Sequence, residues 1–202
     1  LHDSPPQRSA AGIWLVEEGY LKPFAGVRHA HYAAAAAIEL RRQLRAGADI
    51  TDITGIRLEI YGEALRYGAN RAPQTPIAAQ FSLSFATAAA LRFGDLGPDC
   101  YRALDDPELM RLERLVELAE DTRFASRAAR LIAQTNRGEL RSEVTSVPGD
   151  PDNPLPEPDV IAKFHRFTAH LPEAAGLAES ILRGTTDDAL LLSRIAESGA
   201  KP

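Results

Sequence analysis

Between Glu18 and Glu39 the sequence has no acidic residue, and Lys22, Arg28, His29 and His31 fall in that gap. A second acid-free stretch lies between Glu63 and Asp95 and carries Arg66, Tyr67, Asn70, Arg71, Gln80 and Ser82. A fold that joins the two stretches builds a site for a small polyanion, because an arginine fork grips a carboxylate at two points while amides and hydroxyls complete the fit. The same residues equally suit solvated surface arginines beside buried apolar helices, and spacing alone leaves both readings open.

His31 stands at the start of an Ala-rich segment that reads as a helix. The positive end of that helix and the nearby Arg28 both disfavour an imidazolium, which keeps the ring neutral and able to give or take a proton near pH 7. A structural hydrogen bond at a helix start is the competing role. His29 either faces solvent or packs under the loop, and His165 and His170 read as surface residues of a polar helix. His29-Ala30-His31 alone is a weak metal signal, since no pair of histidines combines i, i+4 spacing with a carboxylate. Cys100 reads as a structural or surface thiol rather than a nucleophile. There is no G-x-G-x-x-G before a helix, no phosphate-binding P-loop and no G-x-S-x-G elbow, so nucleotide and serine-hydrolase chemistry has no support.

The whole chain bounds these options. At 202 residues, 45% hydrophobic and 25% charged, it has globular composition and enough length to bury a core. A net charge of −5 argues against a globally basic nucleic-acid binder. One cysteine excludes an internal disulfide and by itself cannot hold an iron–sulfur cluster. The longest apolar run, Tyr32 to Ile38, is far below the ~20 residues of a membrane span, and Leu1 to Gly19 lacks the pattern of a secretion signal. A soluble cytoplasmic protein is the default expectation. The chain starts at Leu1 and its only methionine is Met110, which suggests a fragment, a processed chain or a trimmed one.

The elements that must position these residues follow from periodicity and punctuation. Residues 1–10 read as a flexible arm, Ile13 to Leu21 as a strand stopped by Pro23, and about His31 to Leu44 as a helix ending at Gly47 with Arg41, Arg42 and Arg45 in its last turns. Ile53, Ile56, Leu58 and Ile60, with Arg57 and Glu59 between them, mark a half-buried strand. Asn70 to Pro76 is expected to be a loop, and about Ile77 to Phe93 a helix ended by Gly94. Asp106-Pro107 caps another helix to about Arg114, with a short strand at Leu115 to Leu118. Ala128 to Thr135 and Glu139 to Val147 form a hairpin around Asn136-Arg137-Gly138, read as a three-residue turn with a bulge. Five prolines in the eleven residues from Pro148 to Pro158 read as a linker, and helices follow at about Asp159 to Ala169, Glu173 to Leu182 and Asp187 to Glu197. Antiparallel strands mixed with helices, without regular βαβ alternation, favour an α+β fold.

Several of these segments together resemble one family. Lys22-Pro23-Phe24, then Arg28, His29, Ala30 and His31 leading into the Ala-rich helix, is similar to the lysine-proline-tyrosine and threonine-histidine segment of the MmgE/PrpD family. The likeness continues through Asn70-Arg71 and Pro73, Thr75, Ala79-Gln80-Phe81-Ser82, Gly149-Asp150-Pro151, Asn153-Pro154 and Lys163-Phe164. Ala30 stands where the family has threonine, and Ala78 where a glutamate often precedes alanine-glutamine. That family includes 2-methylcitrate dehydratase, cis-aconitate decarboxylase and iminodisuccinate epimerase.

The resemblance covers the C-terminal half of a family member. It implies an α+β lid domain over residues 11–149 with a mainly antiparallel sheet, a Pro-rich linker over 150–158, and C-terminal helices over 159–202 that return to a helical domain absent from this sequence. It implies His31 as the acid/base residue; Lys22, Arg28, Asn70, Arg71, Gln80 and Ser82 sit at matching motif positions, and it is their chemistry that suits them to binding a carboxylate substrate. No cofactor is implied, and a homodimer is usual in the family. The implied reaction is dehydration of a 2-methylcitrate-like acid. Epimerisation, decarboxylation and a non-catalytic remnant that binds an anion or a partner stand as alternatives.

Overall fold

The computed structural model describes residues 19–44, 49–124 and 127–169, with single positions 176, 183, 184 and 193. The chain divides into two compact units, Leu1–Pro154 and Leu155–Pro202. In the first unit, helix α1 (Arg28–Leu44) is built to pack closely: Ala30, Ala33, Ala34, Ala36 and Ala37 are all buried, leaving little more than methyl groups between its backbone and its neighbours. Those neighbours are strands β3 (Ala129–Thr135) and β4 (Gly138–Val144) and a second alanine-rich helix, α4 (Leu83–Phe93). The helix begins three residues ahead of the expected start at His31, so Arg28, His29 and His31 share its first turn. Gly47, expected to end it, lies outside the described residues.

Strand β1 (Ile53–Ile60) is the centre of a four-stranded sheet in the order β2-β1-β3-β4, with β2 being Val116–Glu120. β1 runs parallel to β2 and antiparallel to β3, and β3 and β4 form an antiparallel hairpin, which makes the fold α+β with a mostly antiparallel sheet. A register shift between Ile53 and Gly55 explains why Ile53 and Ile56, three residues apart, are both buried: the bulge adds one residue and returns the side chain to the core face. Leu58, Ile60, Val116, Leu131 and Ala133 complete that face. The other face carries a ladder of ion pairs, Glu117 to Arg57 at 2.6 Å, Glu59 to Arg130 at 2.9 Å and Arg130 to Glu143 at 2.7 Å. Such partly exposed pairs are worth about 0–1 kcal/mol each, so they favour the register more than they stabilise the domain.

The path from β1 to β2 runs through α2 (Gly62–Gly68), α3 (Pro76–Gln80), α4, a 3-10 turn at Pro98–Arg102 that buries Cys100, and α5 (Pro107–Leu115). Asp106 caps α5 by accepting from the Leu109 N–H at 2.8 Å, and Gly94 (φ 76°) closes α4, both at the expected positions. The single helix expected over Ile77 to Phe93 is two. Ser82 accepts from the Phe85 N–H at 3.1 Å and bridges to Ala69, so the chain restarts a helix there instead of continuing one. The hairpin turn is also tighter than expected: Thr135 pairs with Gly138, leaving Asn136 and Arg137 as a two-residue connection. Of the expected strand Ile13 to Leu21, residues 13–18 lie outside the described set, and Gly19 to Leu21 carry no regular structure.

In the second unit, α6 (Glu157–Phe167) follows Pro156, with Glu157 and Asp159 in its first turn and His165 and Arg166 in its last, signs that suit the helix dipole. None of its residues is fully buried. The helices expected at Glu173 to Leu182 and Asp187 to Glu197 fall on residues outside the described set, apart from positions 176 and 193, as do the arm over 1–10 and His170. Among the described residues no helix is long and apolar enough to cross a membrane.

Candidate functional site

The first turn of α1 contains no acid, so Arg28, His29 and His31 sit where the helix dipole is already positive. What balances them arrives from far along the chain. Arg28 forms an ion pair with Asp150, and both side chains are buried. Asp150 Oδ2 also accepts from Tyr32 Oη at 2.9 Å and from the Val147 N–H at 3.1 Å. Burial lowers the Arg28 guanidinium from its ordinary value, opposed by the nearby Tyr32, yet an arginine remains a cation in a protein and needs its carboxylate.

Helical i, i+3 spacing then brings Arg28 Nη1 to His31 Nδ1 at 3.3 Å. A guanidinium only donates, so Nδ1 accepts and the proton of the neutral ring resides on Nε2. Phe24 meets the ring edge-on, with centroids 5.4 Å apart, and His31 is 0% exposed. His29 points elsewhere, to α2: its Nδ1 lies 2.6 Å from Tyr61 Oη and its ring stacks on exposed Tyr67 at 5.8 Å. Burial lowers the His29 pKa, with Arg127 and Arg28 adding to the effect and Glu63 opposing it. Burial pushes the Tyr61 hydroxyl upward, so it stays protonated.

The loop ahead of α1 is anchored by the Ala25 N–H to Leu96 O at 2.9 Å, the Val27 N–H to Gln80 O at 3.0 Å and Tyr101 Oη to Ala25 O. On its other side the Leu21 N–H donates to Gly149 O at 2.9 Å. Gly149 has φ 92°, and a Cβ there would run into the Leu21 carbonyl. Gly149→Ala is therefore expected to cost ~2 kcal/mol or more, the range of a strained backbone, and to loosen the Asp150 turn beside it. Urea denaturation measures the loss; an unchanged midpoint would show that the turn adapts freely.

The two acid-free stretches do meet, at Val27 against Gln80 and at His29 against Tyr67. The structure groups the expected site residues in two places. Arg28 joins His31, with exposed Lys22 in the chain just before the anchored loop. Asn70, Arg71 and Ser82 gather instead around Glu113 of α5. Asn70 Nδ2 donates to Ala78 O at 3.0 Å, Ser82 Oγ to Asn70 O at 2.6 Å, and the Arg71 fork to Glu113 Oε1, Glu113 O and Val116 O at 2.7–3.0 Å. Gln80 is half-buried, its carbonyl holding Val27.

Burial works to raise the Glu113 carboxyl, but hydrogen bonds from Ser84, the Ala72 N–H and Arg71 outweigh it and hold the group below its usual range. Stability drawn from ionised Glu113 is then present above the ordinary carboxylate range and lost as pH falls through the depressed folded value. Glu113→Gln should cost ~1–3 kcal/mol at pH 7, the range for a buried group losing charged hydrogen bonds, and the gap from the parent should narrow in acid. Denaturation at both pH values checks this; a gap that widens in acid would reverse the sign.

Sequence reasoning missed Asp150, assigned to a linker by its prolines, and Glu113, hidden in an ordinary amphipathic helix. Tyr32 and Tyr61 were also missed. The signal for Asp150 was present in Gly149-Asp150-Pro151, where a glycine beside an acid marks a built turn. Among the described residues no three His, Cys, Asp or Glu side chains converge as metal ligands.

With this geometry in hand, comparison with known proteins gives one family. The model of the MmgE/PrpD C-terminal domain matches residues 24–187, from the anchored loop through α6 and beyond. No curated protein sequence matches the chain.

Proposed function

Because the chain belongs to the MmgE/PrpD family through its C-terminal domain, we propose that it is the lid-containing part of a cofactor-independent lyase that dehydrates a small polycarboxylate resembling 2-methylcitrate. The observation that supports this reading most directly is the series Asp150, Arg28, His31, in which a buried carboxylate fixes a guanidinium and the guanidinium fixes the tautomer of an imidazole. A neutral ring with its proton on Nε2 can polarise a departing hydroxyl by donating a hydrogen bond to it. The basic lone pair is on Nδ1, so taking the proton beside a carboxylate requires Arg28 to release Nδ1; the imidazolium so formed then returns that proton to the departing hydroxyl.

Charge that develops on the carboxylate side of the reaction needs cationic stabilisation. Lys22, exposed ahead of α1, is the candidate to meet a substrate carboxylate directly. Arg28 acts through His31, while Asn70, Arg71, Gln80 and Ser82 shape the loops on which the substrate rests. His31 is 0% exposed, so the reading requires side chains around it, Phe24 among them, to shift when substrate enters. The remaining catalytic groups belong to the family's helical domain, on which the C-terminal helices are expected to pack, in a homodimeric enzyme.

The test is to incubate the chain assembled with its helical domain, after chelator treatment, with 2-methylcitrate, cis-aconitate or iminodisuccinate in deuterated water and follow each by NMR. Alkene formation from the first supports dehydration. Carbon dioxide release from the second, or deuterium exchange without loss of water from the third, replaces it with decarboxylation or epimerisation. Inertness toward all three favours an anion-binding remnant, and a need for added metal contradicts the cofactor-free reading.

A further inference from the structure

Away from His31, a cleft of about 370 Å3 opens between the turn at Ala72–Gln74 and α5. Phe85, Leu104, Leu109 and Met110 form its apolar wall, and Glu113 lines it from within. Glu113 is only 5% exposed, and every donor that reaches its carboxylate converges on one atom: Arg71 Nε at 3.0 Å, the Ala72 N–H at 3.2 Å and Ser84 Oγ at 2.6 Å all go to Oε1. Among the described residues nothing donates to Oε2. Its lone pairs therefore remain for whatever occupies the cleft.

The arrangement around Glu113 is held at a backbone cost. Ala72 has φ 47°, the one positive φ at a non-glycine position among the described residues, and that conformation turns its N–H onto Oε1. Two nitrogens of the Arg71 fork are committed to carbonyls, Nη1 to Val116 O and Nη2 to Glu113 O, so the fork approaches the carboxylate only through Nε. The scaffold fixes one oxygen and leaves the other without a protein donor among the described residues, on a side chain that lines the cleft. At the mouth, exposed Asp105 and Arg114 offset one another in charge.

We propose that this cleft binds a small organic cation with an apolar body, an amidinium, guanidinium or primary ammonium that donates N–H to Glu113 Oε2 while its hydrocarbon part rests on Phe85, Leu109 and Met110. A carboxylate ligand meets a negative floor and is excluded, and a neutral ligand forgoes the charge-assisted hydrogen bond. The volume lies at the small end of ligand clefts, ~300–1,000 Å3, which suits one ring or a short chain. None of its walls is His31, Arg28 or Lys22, and what it shares with the lyase reading is Arg71 and the turn that follows it, which fix Glu113 Oε1.

The experiment titrates the 202-residue chain with benzamidine and, as the uncharged isostere, benzamide, following backbone amides by two-dimensional NMR. Saturable shifts are expected at Ala72, Leu109 and Glu113 with benzamidine, and at least 10-fold weaker binding with benzamide. Glu113→Gln should weaken benzamidine at least 10-fold. Because that variant also alters the fold's hydrogen bonds, Met110→Arg serves beside it, placing a tethered guanidinium at the mouth without touching Glu113. It should compete with benzamidine and weaken it several-fold in a chain of unchanged stability. Equal binding of the two probes, shifts confined to other residues, or full affinity retained in Met110→Arg would each overturn the proposal.

Discussion

Replacing His31 with alanine in the enzyme assembled with its helical domain is expected to lower turnover ~100-fold or more, the contribution typical of a positioned acid or base. His29→Ala should lower it far less. The two histidines lie two residues apart on one helix turn, yet they face different partners: His31 takes a hydrogen bond from Arg28, and His29 engages Tyr61 and Tyr67. Alanine at a fully buried position also opens a cavity, which would confound the reading. His31→Asn separates the effects, because its side-chain oxygen can take the place of Nδ1 as acceptor for Arg28 while offering no group that titrates near neutrality. The asparagine variant should keep the parent's denaturation midpoint and still lose turnover. If His29→Ala is the damaging substitution instead, proton transfer belongs to the His29 and Tyr61 pair.

What the sequence disclosed and what it concealed divide along the range of the interactions. The alternation from Ile53 to Ile60, the cap at Asp106 and the stop at Gly94 are local devices, each acting within a few residues, and each occurs where its chemistry predicts. The break at Ser82 is local too, yet it loses to a stronger local signal, the continuous apolar and alanine pattern on both sides of it. Helix α2, seven residues bounded by Gly62 and Gly68, is too short for a period to show. The partners of the charged residues were beyond reach for a different reason. Arg28 and Asp150 are separated by most of the domain, and Arg71 and Glu113 by the length of α3, α4 and the turn after them. The acid-free stretches looked cationic because the acids that neutralise them are encoded elsewhere, and only the fold brings them back. Two of the expected anion-binding groups are thereby committed inside the domain, while Lys22 is exposed ahead of α1 and Glu113 Oε2 takes no donor among the described residues.

Asp150→Ala is expected to destabilise the domain by ~3–5 kcal/mol, the cost of leaving a buried charge without its partner. Three groups lose their acceptor at once: the Arg28 guanidinium, the Tyr32 hydroxyl and the Val147 N–H. Arg28 cannot recover by deprotonating, and its location in the first turn of α1, where the dipole is positive, deepens the penalty. Removing the charge should therefore repair much of the damage. Arg28→Met in the Asp150→Ala background removes the buried charge and leaves neutral groups that have lost these partners, the Tyr32 hydroxyl, the Val147 N–H and His31 Nδ1, so the double variant should be more stable than Asp150→Ala alone, an ordering opposite to simple accumulation of damage. Urea denaturation of the parent, the two single variants and the double variant measures the coupling. A loss under ~1 kcal/mol for Asp150→Ala, or a double variant less stable than either single one, would show that Arg28 does not depend on this carboxylate. The double variant also bears on chemistry, because His31 then loses the donor that fixes its tautomer while its surroundings stay folded. Turnover by the assembled enzyme should remain low although stability returns, and that divergence is the signature of a residue that positions another rather than one that merely holds the domain together.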